Sequence, residues 1–480
     1  MTDMTQGPVL SRIVGFALPL SVANVLQQGY LLVDSVIVGR YIGIDGLAAV
    51  GASQPLFYLM NAMFIGIGTA FTIRLAHLKG ARNSSDVRAV ARALTLFTLV
   101  WTVGSMVCTL LLARYALGVI GIHGQVAHES RQFLDALVLG FPAIFGGGAI
   151  SAFLRGFGAS RAAMWIQGLG SVLNVGLVWL FVAVFHVGIA GAALATAAAA
   201  TVAFVVGVGY TRRAYPPSPR EAPPAVRAEL TDAMRLGAPL AIQHIGLALG
   251  ILVLVRIIAG FGSVCLAAFT VVGRLELFTS LIFLDLSGGL CAFVAQNLGA
   301  NNEARNREGL RRTVLLTVGL TALVCAVVLL ARDPIANLFT DDARTRELTA
   351  HYILITYPFF VLYTVMVVVH GYLNGARRTT VPLVCTVLAF LLTQVPAAYL
   401  LHGPLGIDGV MWAVVAGWTV GLVYTLLSVR RLLPAAPHGR SGPPTSGTGE
   451  TEETEESGES GESGEIEESG ESGESVTWVK

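Results

Sequence analysis

About twelve apolar runs divide this chain, each near the roughly 20 residues that a helix needs to cross a bilayer. They fall at 13–38, 47–73, 93–113, 132–154, 163–185, 188–210, 236–260, 264–295, 313–331, 351–374, 380–401 and 407–429. In hydrocarbon every backbone N–H and C=O must find its partner inside the protein, so such runs become helices. The expected fold is an all-α polytopic membrane protein. Composition agrees: 13% of the 480 residues are charged, against about 25% in soluble domains, and mean hydropathy is +0.69. The first run starts near Arg12, is too long for a signal-peptide core and has no small-residue cleavage site. The five cysteines lie in or beside apolar runs without CxxC spacing, which points to small buried hydrophobes and to neither a metal site nor disulfides.

Lys and Arg set the orientation. Alternate connections carry Arg74, Lys79, Arg82, Arg88 and Arg92, then Arg155 and Arg161, then Arg212, Arg213, Arg220, Arg227 and Arg235. Later ones carry Arg305, Arg307, Arg311 and Arg312, then Arg377 and Arg378, then Arg430 and Arg431. The opposite connections hold only Arg40, Arg114, Arg131, Arg332, Arg344 and Arg346. Both termini are therefore expected in the cytoplasm of a multi-pass protein of the cell membrane.

The Pro-rich, basic stretch 211–235 separates an N-terminal six-helix bundle, 1–210, from a C-terminal one, 236–433. The remainder, 434–480, is Gly, Ser and Glu with almost no apolar residues, too little to bury a core. The two bundles repeat. At a shift of 219, Gly43 meets Gly262, Leu47-Ala48-Ala49 meets Leu266-Ala267-Ala268, and Gly80-Ala81 meets Gly299-Ala300. Pro19 meets Pro239 at 220, and Gly158-Ala159 is matched with Gly375-Ala376. Even span counts make the repeat parallel, about an axis along the membrane normal, an arrangement in which transporters place substrate between the halves.

Within the first span, Gln27, Tyr30 and Asp34 share one helical face, at most about 40° from Asp34. Ionisable groups in a bilayer are costly and mark functional sites. Taking a carboxylate out of water favours its neutral form, so it can take up and release a proton near neutral pH. The residues support a proton- or cation-coupled transporter with Asp34 as its coupling group. A buried Asp held by hydrogen bonds or an Arg is the plain structural reading. Gln54 and Asn61, with Phe57 between them, share a face of span two and either line the same cavity or bond across helices. Pro19 kinks the first span, as a hinge or as a static bend.

The second half carries Gln243, His244 and Arg256 in span seven, Arg274, Glu276 and Asp285 in span eight, and His370 in span ten. Glu276 and Asp285 are about 180° apart on a helix, so they do not share one cavity. One of them is expected to pair with Arg256. The alternative is that Glu276 or Asp285 binds a cationic substrate or a second proton. His370 and His244 titrate in the physiological range when exposed, but suit packed polar roles.

The motifs VDSVIVGRYIG…LAAVG, LRGFGASR, GLCAFVAQNLGANNEARNREGLRR and HGYLNGARRTTVP resemble those of the bacterial multidrug and toxic compound extrusion (MATE) family, from about Ser11 to Arg431. The resemblance implies two six-helix bundles around a central cleft. It implies efflux of organic, often cationic, small molecules in exchange for inward H⁺ or Na⁺, and no enzymatic activity. Asp34 falls on the family's first-helix Asp, and Asn174 on an Asn of the same polar network. The family often has an Asp four residues on, where this chain has Val178. With fewer anionic oxygens, H⁺ is favoured over Na⁺. The other readings are a flippase for lipid-linked substrates, which should have extra spans and a strongly cationic cleft, a membrane-embedded enzyme, or a channel. Gly-rich GFPAIFGGGA lacks the Gly-Lys-Ser/Thr of a phosphate-binding loop, so no ATP site or other cofactor is expected. The partners expected are the transported molecule, the coupling ion and membrane lipid, with no nucleic acid and a monomeric state.

Overall fold

The computed structural model describes residues 3–83, 86–119, 124–215, 225–339 and 342–432. The acidic tail and positions 216–224 of the linker lie outside them. The described residues form sixteen α-helices in chain order. In the first half these are α1 (Val9–Tyr41), α2 (Ile44–Gly80), α3 (Val87–Val119), α4 (Gly124–Val138), α5 (Phe141–Gly156), α6 (Ser160–Val178) and α7 (Ile189–Ala214). The second half holds α8 (Val226–Ala259), α9 (Ser263–Gly299), α10 (Glu303–Leu330), α11 (Arg332–Phe339), α12 (Ala343–Thr356), α13 (Phe360–Gly375), α14 (Thr380–Thr386), α15 (Val395–Leu405) and α16 (Ile407–Leu432). π-helical segments continue α6 through Trp179–Val184 and join α14 to α15 through Val387–Gln394.

Eleven helical stretches are long and apolar enough to cross a membrane, and the bent pair α4–α5 makes twelve. The span expected at 132–154 is thus not one straight helix: it breaks at Leu139–Gly140 with a bend of 57°. Pro142, in the first turn of α5, lacks the N–H that would have continued the α4 ladder. At the matching place in the second half, a 3-10 turn over Tyr357–Phe359, carrying Pro358, separates α12 from α13.

The repeat is legible in the contacts. Space for a Cβ at Gly80 is taken by the Gln296 carbonyl, and at Gly299 by the His77 carbonyl. Adding 219 converts each pair into the other. Likewise Gly237 of α8 closes on Ala70 of α2, and Gly289 of α9 closes on Ala17 of α1. Such reciprocal contacts are the mark of a two-fold axis. The left-handed residues obey the same register: Gly43 with Gly262 (φ 104 and 102), Arg82 with Asn301 (52 and 56), and Gly158 with Arg377 (71 and 62). The last pair corrects the sequence match of Gly158 with Gly375. Gly156 is the counterpart of Gly375, because Gly156 packs on Thr72 and Leu75 as Gly375 packs on Cys291 and Val294.

The halves meet where the basic connections gather, here termed the basic end. Inter-half hydrogen bonds among the described residues reach no farther from it than Asn24 of α1 and Asp285 of α9, near mid-helix. The Arg74 guanidinium of α2 grips Glu229 of α8 with two bonds, 2.9 and 2.7 Å, across the halves. Beyond mid-helix the α2 residues Gln54, Tyr58 and Leu59 are exposed.

Candidate functional site

Asp34 lies half-buried on α1, and no Lys or Arg forms an ion pair with it among the described residues. Its partner is the amide of Asn174 on α6, which is 3% exposed. Asn174 in turn meets the Thr196 hydroxyl of α7. Of the two amide orientations, the first suits an Asp34 that only accepts, and the second requires a protonated Asp34. In one, Asn174 Nδ2 donates to Asp34 Oδ2 at 2.8 Å and Oδ1 at 3.0 Å, while its oxygen accepts from Thr196 Oγ1 at 3.0 Å. In the other, Nδ2 donates to Thr196 Oγ1 at 3.0 Å, and Thr196 Oγ1 donates to the Ala192 carbonyl at 3.1 Å. The amide oxygen then faces Asp34.

The two orientations suit the two charge states of a carboxylate. Ionised, Asp34 only accepts, and it needs N–H donors. Protonated, it carries an O–H that needs an acceptor. Thr196 can serve in both, because a hydroxyl donates and accepts. The triad Asp34–Asn174–Thr196 therefore satisfies either state by turning one amide.

The rest of the α1 face continues the network. Gln27 Oε1 accepts from Gln167 Nε2 of α6 at 2.8 Å, and Tyr30 interacts with Gln27 and lies near Asp34. The π-helical turn Trp179–Val184 begins five positions after Asn174; such turns recur at functional sites. Sequence reasoning missed Thr196 and Gln167. Thr196 is one of two hydroxyls, with Thr201, in the alanine run ALATAAAATV, and only the contact with Asn174 distinguishes it.

Gln54 is exposed and Asn61 half-buried on α2, and neither makes a side-chain hydrogen bond among the described residues. Phe57 packs on Phe141 of α5, with centroids 6.2 Å apart, toward the first-half core. Pro19 sits inside α1, which runs unbroken as an α-helix from Val9 to Tyr41.

The second-half residues do not join this network. Glu276 is half-buried on α9 beside Thr356, Tyr357 and Tyr363. Asp285, 7% exposed, faces the first half: Asn24 Nδ2 of α1 donates to its Oδ1 at 2.8 Å. The two acids thus look opposite ways, as their spacing requires. The expected ion pair with Arg256 is not present: among the described residues Arg256 is exposed and pairs with neither acid. It stands in the last turn of α8, where the helix C-terminus favours a cation and a long side chain can reach the interface. His370, 6% exposed, is buried between α13 and α16, its Nε2 3.1 Å from Thr425 Oγ1. His244 Nδ1 lies 2.8 Å from the Leu240 carbonyl of its own helix.

Fold and site together define a multi-pass helical membrane protein with two repeated halves and one polar, acid-bearing network inside the first. The MatE family model matches twice, over residues 19–180 and 239–400, one copy per half. The chain belongs to the MATE family of multidrug efflux transporters. It is 27% identical over 419 residues to the probable multidrug resistance protein YoeA of Bacillus subtilis (strain 168), covering 85% of this chain and 90% of that one. Among solved structures it superposes on a MATE in the straight conformation with TM-score 0.83, at 23% identity, covering 90% and 97% of the two chains. A MATE in the bent conformation gives 0.81, also at 23% identity, covering 89% and 96%.

Proposed function

We propose that this protein is a secondary antiporter that exports organic, often cationic, compounds in exchange for inward H⁺, with Asp34 as the proton carrier. One observation carries the reading: Asp34 meets a neutral amide, Asn174, backed by the Thr196 hydroxyl, and among the described residues no Lys or Arg forms an ion pair with it. An Arg partner would have pinned the carboxylate in its ionised form. Na⁺ is the weaker candidate, because it needs several oxygen ligands, whereas the Asn174 orientation that serves ionised Asp34 offers N–H groups instead.

In this reading the ionised state has Asn174 donating to Asp34. Protonation turns the amide, and Asp34 then donates to it while Asn174 donates to Thr196. The change is felt by α1, α6 and α7 together. Pro19 leaves α1 one backbone bond short, as Pro239 does α8, and because α1 also carries Asp34 it is the helix we assign the bend. That this fold is known in a bent and a straight conformation supports the idea. Contacts gathered at the basic end, with α2 exposed beyond them, support a cleft open away from that end. With both termini cytoplasmic, this is the outward-open state. Gln27, Tyr30, Gln54, Phe57 and Asn61 in the first half, with Glu276, Asp285 and His370 in the second, are the side chains we assign to the cavity and to polar packing around it.

The test is proton release. Adding a fluorescent organic cation to the purified protein in weakly buffered detergent solution is expected to release protons, and the Asp34→Asn variant is expected to release none. Binding by both proteins with no proton release from either would overturn the proton-carrier role.

A further inference from the structure

The segment before α1 breaks the two-fold symmetry of the basic end. Asp3–Gly7 belongs by sequence to the first half, where the Gln6 carbonyl accepts from Arg12 Nε of α1 at 3.2 Å, yet its other hydrogen bonds to helices run into the second. Met4 N donates to Gln296 Oε1 at 3.1 Å. The Met4 carbonyl accepts from Asn297 Nδ2 at 3.1 Å and from Arg305 Nε at 3.3 Å. Arg305 Nη2 also donates to the Gly7 carbonyl at 2.6 Å. The Arg305 guanidinium lies 5.3 Å above the Phe293 ring, which fixes its plane. Met4, Gln296 and Asn297 are all fully buried, at 0% exposure.

The other side of the segment answers to the first half. Asp3 lies near Lys79 and Arg82, and its carboxylate accepts from Thr5 N at 2.8 Å and Thr5 Oγ1 at 2.6 Å. Burial raises the Asp3 pKa, but the Thr5 bonds and the two cations outweigh it and hold the carboxyl below its ordinary range. Gly7 takes the left-handed conformation, φ 81, which turns the segment into α1. Thr5 also lines an open cavity of about 380 Å³ with Gly80, Ala81, Gly299, Ala300 and Asn301, the paired turns of the two halves.

We propose that Asp3–Gly7 is a clasp: it bridges the halves at the basic end, holds that end shut, and must leave its seat on Gln296, Asn297 and Arg305 before the cleft can open there. The inference rests on the alternating-access reading above. Opening at the basic end separates α2 from α9, and Gly80 and Gly299 meet the opposite backbones too closely to slide. A segment fixed to both halves cannot remain bound to both while they part. Release would leave Gln296 and Asn297 without Met4 as partner, so water must enter as it leaves, and closed and open ends become distinct states. The clasp continues directly into α1, which carries Asp34.

The experiment uses the full chain in proteoliposomes, with the native cysteines replaced and Thr5→Cys combined with Ala300→Cys. Closing this pair with a short reducible cross-linker is expected to cut transport of a fluorescent organic cation by about tenfold or more, and reduction is expected to restore it. Full transport with the pair closed overturns the clasp. A second readout does not depend on transport. Ile67 is buried against Gly237 of the other half, so an Ile67→Cys reporter is expected to label faster with a membrane-impermeant maleimide applied at the basic end once residues 3–7 are deleted, and slower once the pair is closed. Equal labelling rates in all cases overturn the clasp. If the uncross-linked protein carries no cation, the transport reading fails, while the labelling rates still decide the clasp.

Discussion

A carboxylate that carries protons inside a bilayer must be stable in two charge states, and in the proposed mechanism the Asn174 amide and the Thr196 hydroxyl behind it make Asp34 so. A hydrogen bond to a charged group contributes about 1.5–3 kcal/mol. Asn174→Leu removes the amide that faces Asp34, so transport is expected to fall by roughly thirtyfold, the equivalent of about 2 kcal/mol. Thr196→Val leaves the Asn174 amide one partner short and is expected to reduce transport less. Thr196→Ser keeps the hydroxyl and is expected to restore it. Initial transport rates in vesicles check all three. Equal rates for Thr196→Val and wild type would remove Thr196 from the network. Asp34 and Asn174 were legible in the sequence, one as an acid in an apolar run, the other through the family motif. Thr196 and Gln167 were not, since a single polar residue in an apolar helix looks alike whether it packs or works. Arg155 was read as an orientation charge beyond span four. It proves to sit in the last turn of α5, where its Nε donates to the Ser151 carbonyl at 3.3 Å.

At the scale of elements, hydropathy placed the spans well because the bilayer imposes a length on each. It could not see the break between α4 and α5, since Leu139, Gly140, Phe141 and Pro142 keep the run apolar. Nor could it see the π-helical turns, which change hydrogen-bond register and leave composition alone. Close approach, by contrast, was written in glycine. A side chain at Gly80 meets the Gln296 backbone, whereas one at Gly51 meets open space. Gly80→Val is therefore expected to destabilise the fold by about 1–3 kcal/mol. Gly51→Ala should stabilise it by about 0.4–1 kcal/mol, and thermal unfolding in detergent distinguishes the two. Pro19→Ala restores a backbone bond to α1; we expect a stable protein with slowed transport. Full transport by that variant would remove the hinge.

For the whole molecule, duplication supplies the architecture, and the proposed function rests on the departures from it. The reciprocal glycine contacts repeat between halves, but Asp34 has an apolar residue at its counterpart, Val253, and the N-terminal segment reaches into α9 and α10. Arg74 and Glu229 also link the halves on one side only. Arg74→Glu alone is expected to favour opening at the basic end, and the double exchange Arg74→Glu with Glu229→Arg to reverse it, read by the labelling of Ile67→Cys. The central claim is that inward proton flow through Asp34 drives export. It is tested most directly by transport of a fluorescent organic cation in proteoliposomes under an imposed proton gradient, then a sodium gradient, for wild type and Asp34→Asn. The account predicts that the proton gradient alone drives wild-type transport and that Asp34→Asn abolishes it. Normal transport by the variant, or drive by sodium alone, would contradict it.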